Sequence, residues 1–331
     1  MQYIDMHCDA LMMQYVYDKK NNTLSDLNDL DYISVDFRRM KQGGQLAQFF
    51  AIFIPPTGIL ESYYKLDFQV DPEEYIRHCA SQLKAGVAAH QDIIDMAYNA
   101  SDIERNLAAG KMSAVMTMED GVCVQGRMER IREFYDLGVR ALSLTWNAEN
   151  CFGAPNSKDP AIMEKGLTAF GREAVVYMQE LGMLVDVSHL SDGGFYEVAK
   201  LCNKPFAATH SNSRVLSPHQ RNLTDDMIRV LAEAGGVAGL NYGPEFTNSD
   251  ITNPNQTAAQ IARHARHMAD VGGVDVVGLG GDLDGIEGNL EISDCSKVYL
   301  LEDALQKEGF SGAEIEKIFW KNTLRVMKDT M

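Results

Sequence analysis

Short β-branched and apolar runs alternate along the chain with longer stretches whose apolar positions recur at helical spacing. Eight runs stand out, at 3–7 (YIDMH), 45–53, 113–118, 139–146, 184–189, 205–210, 237–242 and 274–282, most of them giving way to polar residues. Amphipathic stretches separate most of the runs. They lie at 128–137, 166–181 (closed by Gly182), 192–202, 224–234 and 258–271 (stopped by Gly272 and Gly273), and 312–328 reads as a closing helix. The alternation predicts parallel strands joined by crossover helices. Eight such units predict an α/β fold closed into a single (β/α)8 TIM barrel, since a doubly wound sheet usually has fewer strands.

The long segment 55–110 separates the second and third runs. It is expected to be an insertion in a βα connection, with a polar loop followed by a helix over 72–99. A length of 331 residues would suit two average domains, but barrels run to about 250 residues or more as one. The chain is therefore expected to be one domain over residues 1–331. Its composition, 45% hydrophobic and 23% charged, can furnish a large core.

A net charge of -17 disfavours nucleic acid and anionic membrane surfaces as partners. No run approaches 18 uninterrupted apolar residues, so no membrane span is expected. The opening MQYIDMHCDA lacks a basic start followed by an apolar core, and KNTLRVMKDTM at the other end lacks a lipid-anchor tail. The six cysteines are scattered without a CxxC pair and read as reduced thiols. The expected compartment is the cytoplasm.

The candidate chemistry lies where the strands end. His7 and Asp9 follow the first strand, Glu119 the third, His189 the fifth, His210 the sixth and Asp282 the eighth. In a closed barrel these ends converge on one face, where active sites lie. Imidazoles and carboxylates are ordinary zinc ligands, and this many exceed what one tetrahedral ion needs. Two divalent metals fit better, with Glu119 able to bridge ions about 3.5–4 Å apart. Such a pair can hold a hydroxide and polarise an amide carbonyl. Each residue alone has a plainer reading: a histidine at a strand end is more often a hydrogen-bonded structural residue, and Glu119 could cap a helix or pair with an arginine. The coincidence of several at predicted strand ends carries the metal reading. His78, His90, His264 and His267 fall in helical segments, where packing or solvated roles are expected. Cys8 should point away from its neighbours His7 and Asp9. The run GLGGDLDG does not have the spacing of a dinucleotide-binding loop.

The stretches DMHCDAL, MEDG at Glu119, DVSHLS at His189, THSNSRVLSPHQRNLTDD from His210 to Asp226, and GLGGDLDG at Asp282 resemble the membrane (renal) dipeptidases, dizinc peptidases with a barrel fold. The resemblance runs from about Ile4 to the end of the chain. It implies two zinc ions as cofactors, one held by His7 and Asp9, the other by His189 and His210, with Glu119 bridging. It further implies that Arg221 binds the substrate carboxylate, a role suited to a guanidinium fork. Asp282 would contact the substrate amino group and shuttle protons, and Asn222 would order the Arg221 loop. Small dipeptides, L,D-dipeptides among them, are the implied substrates. A bridging hydroxide is the implied nucleophile, and a homodimer is compatible with the family.

This chain departs from the family where a histidine is expected to touch the substrate carbonyl. Trp146 stands there, with Asn147 next to it as a substitute donor. Asp120 stands where glycine is common. Two rival readings remain: another amidohydrolase-type barrel enzyme, such as a deacylase or lactonase, and a metal-binding protein without catalysis. The first often uses a carboxylated lysine as bridge, and no lysine ends a predicted strand here.

Overall fold

The structure is a computed structural model describing residues 1–54, 58, 62, 64–65 and 69–331. Its sheet is a closed barrel of eight parallel strands: β1 (Tyr3–Cys8), β2 (Gln45–Phe53), β3 (Met112–Glu119), β4 (Val139–Ser143), β5 (Leu184–Asp186), β6 (Ala207–Ala208), β7 (Val237–Leu240) and β8 (Val277–Leu279). Neighbours in sequence are neighbours in the sheet. β1 pairs with both β2 and β8, and β2 pairs with β3 in continuous register from Ala47–Ser113 to Phe53–Glu119. The predicted (β/α)8 barrel is thus the observed fold.

Every residue of β2 and β3 is buried, as expected for strands between a filled lumen and an outer layer of helices. Side chains still alternate across each strand. Tyr3, Asp5 and His7 share one face of β1, while Ile4 and Met6 on the other face join a cluster with Leu324 and Met327 of the C-terminal helix Asn322–Thr330. That outer contact fixes the rotation of β1, and with it the direction of His7.

The outer layer contains helices Met128–Leu137, Ala169–Leu181, Asp192–Leu201, Asp225–Glu233 and Ala258–Gly272, close to the expected ranges. Local chemistry sets their ends. Thr168 caps by accepting a bond from the Gly171 amide, Gly182 stops the same helix at φ 77°, and Thr257 with Gln260 forms a capping box. The tail is less uniform than expected. It runs from Gly312–Glu316 through a wider π turn at Lys317–Lys321 into Asn322–Thr330.

Much of the polar loop expected after β2 lies outside the described residues. The helix behind it spans Pro72–Ala89, shorter than the expected 72–99. The difference has a physical cause: Ile94–Met96 adds a short parallel strand beside the start of β3, with Ile94 opposite Met112. A second helix then covers Ala100–Ala108. Among the described residues, no helix is long and apolar enough to cross a membrane.

Candidate metal centre

The strand ends deliver their side chains to one rim. Three sets of donor atoms lie mutually within 4.8 Å: His7, Asp9 and Glu119; Glu119, His189 and His210; and His7, His210 and Asp282. All six residues are buried. Glu119 joins the first two sets by dividing its carboxylate. One oxygen lies 3.4 Å from His7 Nε2, and the other lies 2.9 Å from His189 Nε2 and 3.4 Å from His210 Nε2. Asp9 lies 3.5 Å from His7 Nε2 on the far side of that first set.

The side chains leave groups that a cation would satisfy. His7 Nε2 and Asp9 Oδ1 are buried with no hydrogen-bond partner. His189 Nε2 and His210 Nε2 face each other at 3.1 Å. Unpaired buried polar atoms are costly, and native chains seldom leave them so. Imidazole nitrogens and carboxylate oxygens at this spacing fit divalent metals. Cys8, on the opposite face of β1, is buried in the core and joins none of the three sets.

The partners of the other imidazole nitrogens set the orientation of each ring. Asp186, at the end of β5, accepts bonds from the amides of Ser188 and Thr209, from the Ser143 hydroxyl, and from Thr209 Oγ1 at 2.6 Å. Thr209 Oγ1 has spent its proton on Asp186, so it accepts one from His210 Nδ1, 2.8 Å away. His210 Nε2 is then the free lone pair. In the same way His189 Nδ1 lies 3.3 Å from Asn147 Oδ1, an acceptor, which leaves Nε2 of that ring for the centre. Asn147 therefore holds a ligand candidate while also lining the cleft.

Electrostatics follow from burial and crowding. Burial lowers His189 to about 4 and His210 well below the usual imidazole range, so both rings are neutral, as ligands must be. Burial also opposes charge on His7, but Glu119 and Asp9 overcome it and raise its pKa. Glu119 is held far down despite burial, chiefly by His7 and then by the other two histidines. Asp282 is pushed up to about 8 by burial, with Asp9 and Glu119 adding repulsion against His7's opposing pull.

Two site residues carry backbone strain: His189 at φ 69° and Asp282 at φ 60°, both in the left-handed region. Asp282 is secured by its amide bond to the His7 carbonyl and by Asn241 Nδ2 on its Oδ2 at 2.8 Å. The glycines around it serve close packing. A Cβ on Gly280 or Gly239 would fall 1.7 or 1.9 Å from the Thr209 carbonyl oxygen, and one on Gly285 would fall 2.1 Å from Asp9 Oδ2. The run GLGGDLDG thus lets strands and loop crowd the carboxylates.

The centre opens into a cavity of about 210 Å³ lined by Asp9, Glu119, Trp146, Asn147, Arg221 and Asp282, among others. Arg221 is 6% exposed; its Nη atoms donate to Ser211 Oγ and the His210 carbonyl, and Nε has no partner. Among the described residues, no carboxylate forms an ion pair with it. Asn222 orders this loop by bonding Ser217 and Phe246 carbonyls and the Asn212 amide. Trp146 stacks edge-on against Phe53 at 5.0 Å. Of the helical histidines, His264 is a buried packing residue that accepts from the Ser213 amide, and His267 pairs with Asp225. Sequence reading passed over Asp186, Thr209 and Asn241. The acid inside the apolar run LVDVSH was a usable signal, since a buried carboxylate demands partners.

The chain is similar over its whole length to known proteins. A family model described as membrane dipeptidase (peptidase family M19) matches residues 1–331. An uncharacterised dipeptidase of Schizosaccharomyces pombe is 32% identical over 307 residues, covering 89% of this chain and 72% of that protein. The crystal structure of a Rhodobacter sphaeroides metallopeptidase, liganded with a phosphinate mimic of the dipeptide L-Ala-D-Ala, superposes with a TM-score of 0.88 at 26% identity, covering 100% of this chain and 99% of that one. A dipeptidase of family M19 gives a TM-score of 0.86, also at 26% identity, over 100% of this chain and 98% of the other.

Proposed function

Because the chain belongs to the membrane dipeptidase family of metallopeptidases, we propose that it hydrolyses the peptide bond of dipeptides at the barrel rim with two zinc ions. The observation that carries this reading is the divided carboxylate of Glu119, one oxygen toward His7 and Asp9, the other toward His189 and His210. His7 and Asp9 would hold one ion, His189 and His210 the second, and Glu119 both. Bound there, a pair of cations would bring the pKa of a water shared between them to near neutral and polarise the scissile carbonyl.

The remaining work falls to this chain's side chains. Arg221, buried and without an ion-pair partner, offers a fork for the substrate's terminal carboxylate. Asp282 Oδ1 faces the centre while Oδ2 is tied to Asn241, so Oδ1 takes the proton of the attacking water and returns it to the leaving nitrogen. Trp146 and Asn147 flank the carbonyl, Trp146 as an apolar wall.

The ligand of the Rhodobacter sphaeroides relative supports dipeptides, with a D-residue accepted at the C-terminal position. The test is a panel of L,L- and L,D-dipeptides offered to zinc-loaded protein, with N-acetylated and C-amidated controls. Turnover is expected to be fast for the free dipeptides and to fall to a small residual rate in both controls. Equal turnover of the blocked forms would contradict the reading.

A further inference from the structure

The central cavity is not the end of the cleft; it branches in two directions of opposite character. One branch shares Asn147, His189, Arg221, Glu245 and Phe246 with it and widens to about 410 Å³ among Asn156, Lys158, His219 and Gln220. The other shares Met12, Phe53, Trp146, Gly285 and Ile286 and widens to about 480 Å³ among Met13, Tyr32, Tyr64 and Leu290. Arg221 borders only the polar branch. Gly285 and Ile286, three and four residues after Asp282, border only the apolar one.

From this branching we infer that the enzyme selects dipeptides whose N-terminal residue carries a bulky, uncharged apolar side chain. The inference rests on the dipeptidase reading of the same site. With the terminal carboxylate on Arg221 and the amino group toward Asp282, the first residue's side chain leaves the central cavity on the Gly285 and Ile286 side. It enters the apolar branch between Trp146, Phe53 and Met12. Aromatic and thioether walls suit an aromatic or branched aliphatic group, which gains from leaving water. A glycyl or alanyl residue would leave this space unfilled.

Two acids stand near this branch and must be weighed. Asp284 has both oxygens engaged, one by the Ser34 amide at 2.6 Å and the other by the Val35 amide at 3.2 Å, so it serves the loop and not a ligand. Glu287 also borders the branch but is exposed, and an exposed ion pair contributes little. The lining is mostly apolar, with Ser34 and the Tyr32 and Tyr64 hydroxyls as its neutral polar groups, so a lysyl side chain gains less than a phenylalanyl or leucyl one.

The test uses zinc-loaded protein and L-dipeptides with a common C-terminal alanine. For Phe-Ala and Leu-Ala, kcat/KM is expected to exceed that of Ala-Ala by roughly 10- to 100-fold, with Lys-Ala below both. Leu290→Trp, which fills the branch, should bring Phe-Ala to within a few-fold of Ala-Ala. Met13→Asp should act in the same direction by adding charge, and serves if Leu290→Trp does not fold. Ala-Ala matching Phe-Ala, or Lys-Ala leading, would overturn the inference while leaving the dipeptidase reading intact. Hydrolysis of no dipeptide would overturn both.

Discussion

Asp186 accepts a 2.6 Å hydrogen bond from the hydroxyl of Thr209, and that bond decides which nitrogen of His210 is free. With the hydroxyl proton committed to Asp186, Thr209 can only accept from His210 Nδ1, so Nε2 presents its lone pair to Glu119 and His189. Outer partners of this kind tune metal affinity by roughly 10–100-fold. Thr209→Val and Asp186→Asn should each weaken zinc binding by about that factor, read by competition with a chromogenic chelator. Undiminished affinity in a folded Thr209→Val protein would remove the relay.

Metal uptake should depend on pH with a definite sign. In the metal-free chain His7 holds its proton above the usual imidazole range because Glu119 and Asp9 outweigh burial. A cation must displace that proton, so affinity should fall as pH falls, and binding should release protons. Calorimetry in buffers of different ionisation enthalpy measures the release. Proton uptake, or affinity independent of pH between about 6 and 8, would contradict the arrangement.

Arg221 gives a second chemical test. Arg221→Lys keeps the charge but loses the planar fork. For a free dipeptide, kcat/KM should drop by about a hundredfold or more, the scale of losing a buried charge-assisted pair. For the C-terminal amide of the same dipeptide, the drop should be small. Equal losses on both substrates would mean that Arg221 acts through the loop and not on the carboxylate.

Asp120 predicts a stability effect. Burial raises its pKa to about 7, against donors from Asn150 and the Val122 amide. The folded form keeps the proton to about pH 7, whereas the unfolded chain releases it near 3.8, the ordinary value for an aspartate. The folded state therefore binds more protons across this window, and its stability falls as pH rises from about 4 to 7. Asp120→Asn removes that dependence while tolerating the φ of 73°. In metal-free protein, the melting temperature of the variant relative to the parent should rise between pH 4 and pH 8. A constant difference would show that Asp120 is ionised throughout.

Much of the fold was legible because the barrel's demands are local and repeated. Each strand must be apolar enough to be buried on both faces, and each outer helix must show one apolar stripe with caps, as at Thr168, Thr257 and Gly182. The strand ends named the centre because closure brings distant positions to one rim: His7 and Asp282 become neighbours, with the amide of one bonded to the carbonyl of the other. Less legible were features that depend on cross-chain pairing. The strand Ile94–Met96 exists because Ile94 meets Met112, and a helical reading of 72–99 had no means of seeing that partner. Asp186 and Asn241 act only through residues brought beside them by the folded barrel. The glycines of GLGGDLDG declared a tight approach without saying to what; the answer, for Gly280, is the Thr209 carbonyl.

The central claim is that Glu119 is shared between two cations, and metal stoichiometry tests it most directly. Zinc-loaded protein, desalted and measured by inductively coupled plasma mass spectrometry, should carry two zinc ions per chain, and Glu119→Ala should lose at least one of them together with activity. One ion per chain in the parent, or two retained in a folded Glu119→Ala protein, would contradict the account.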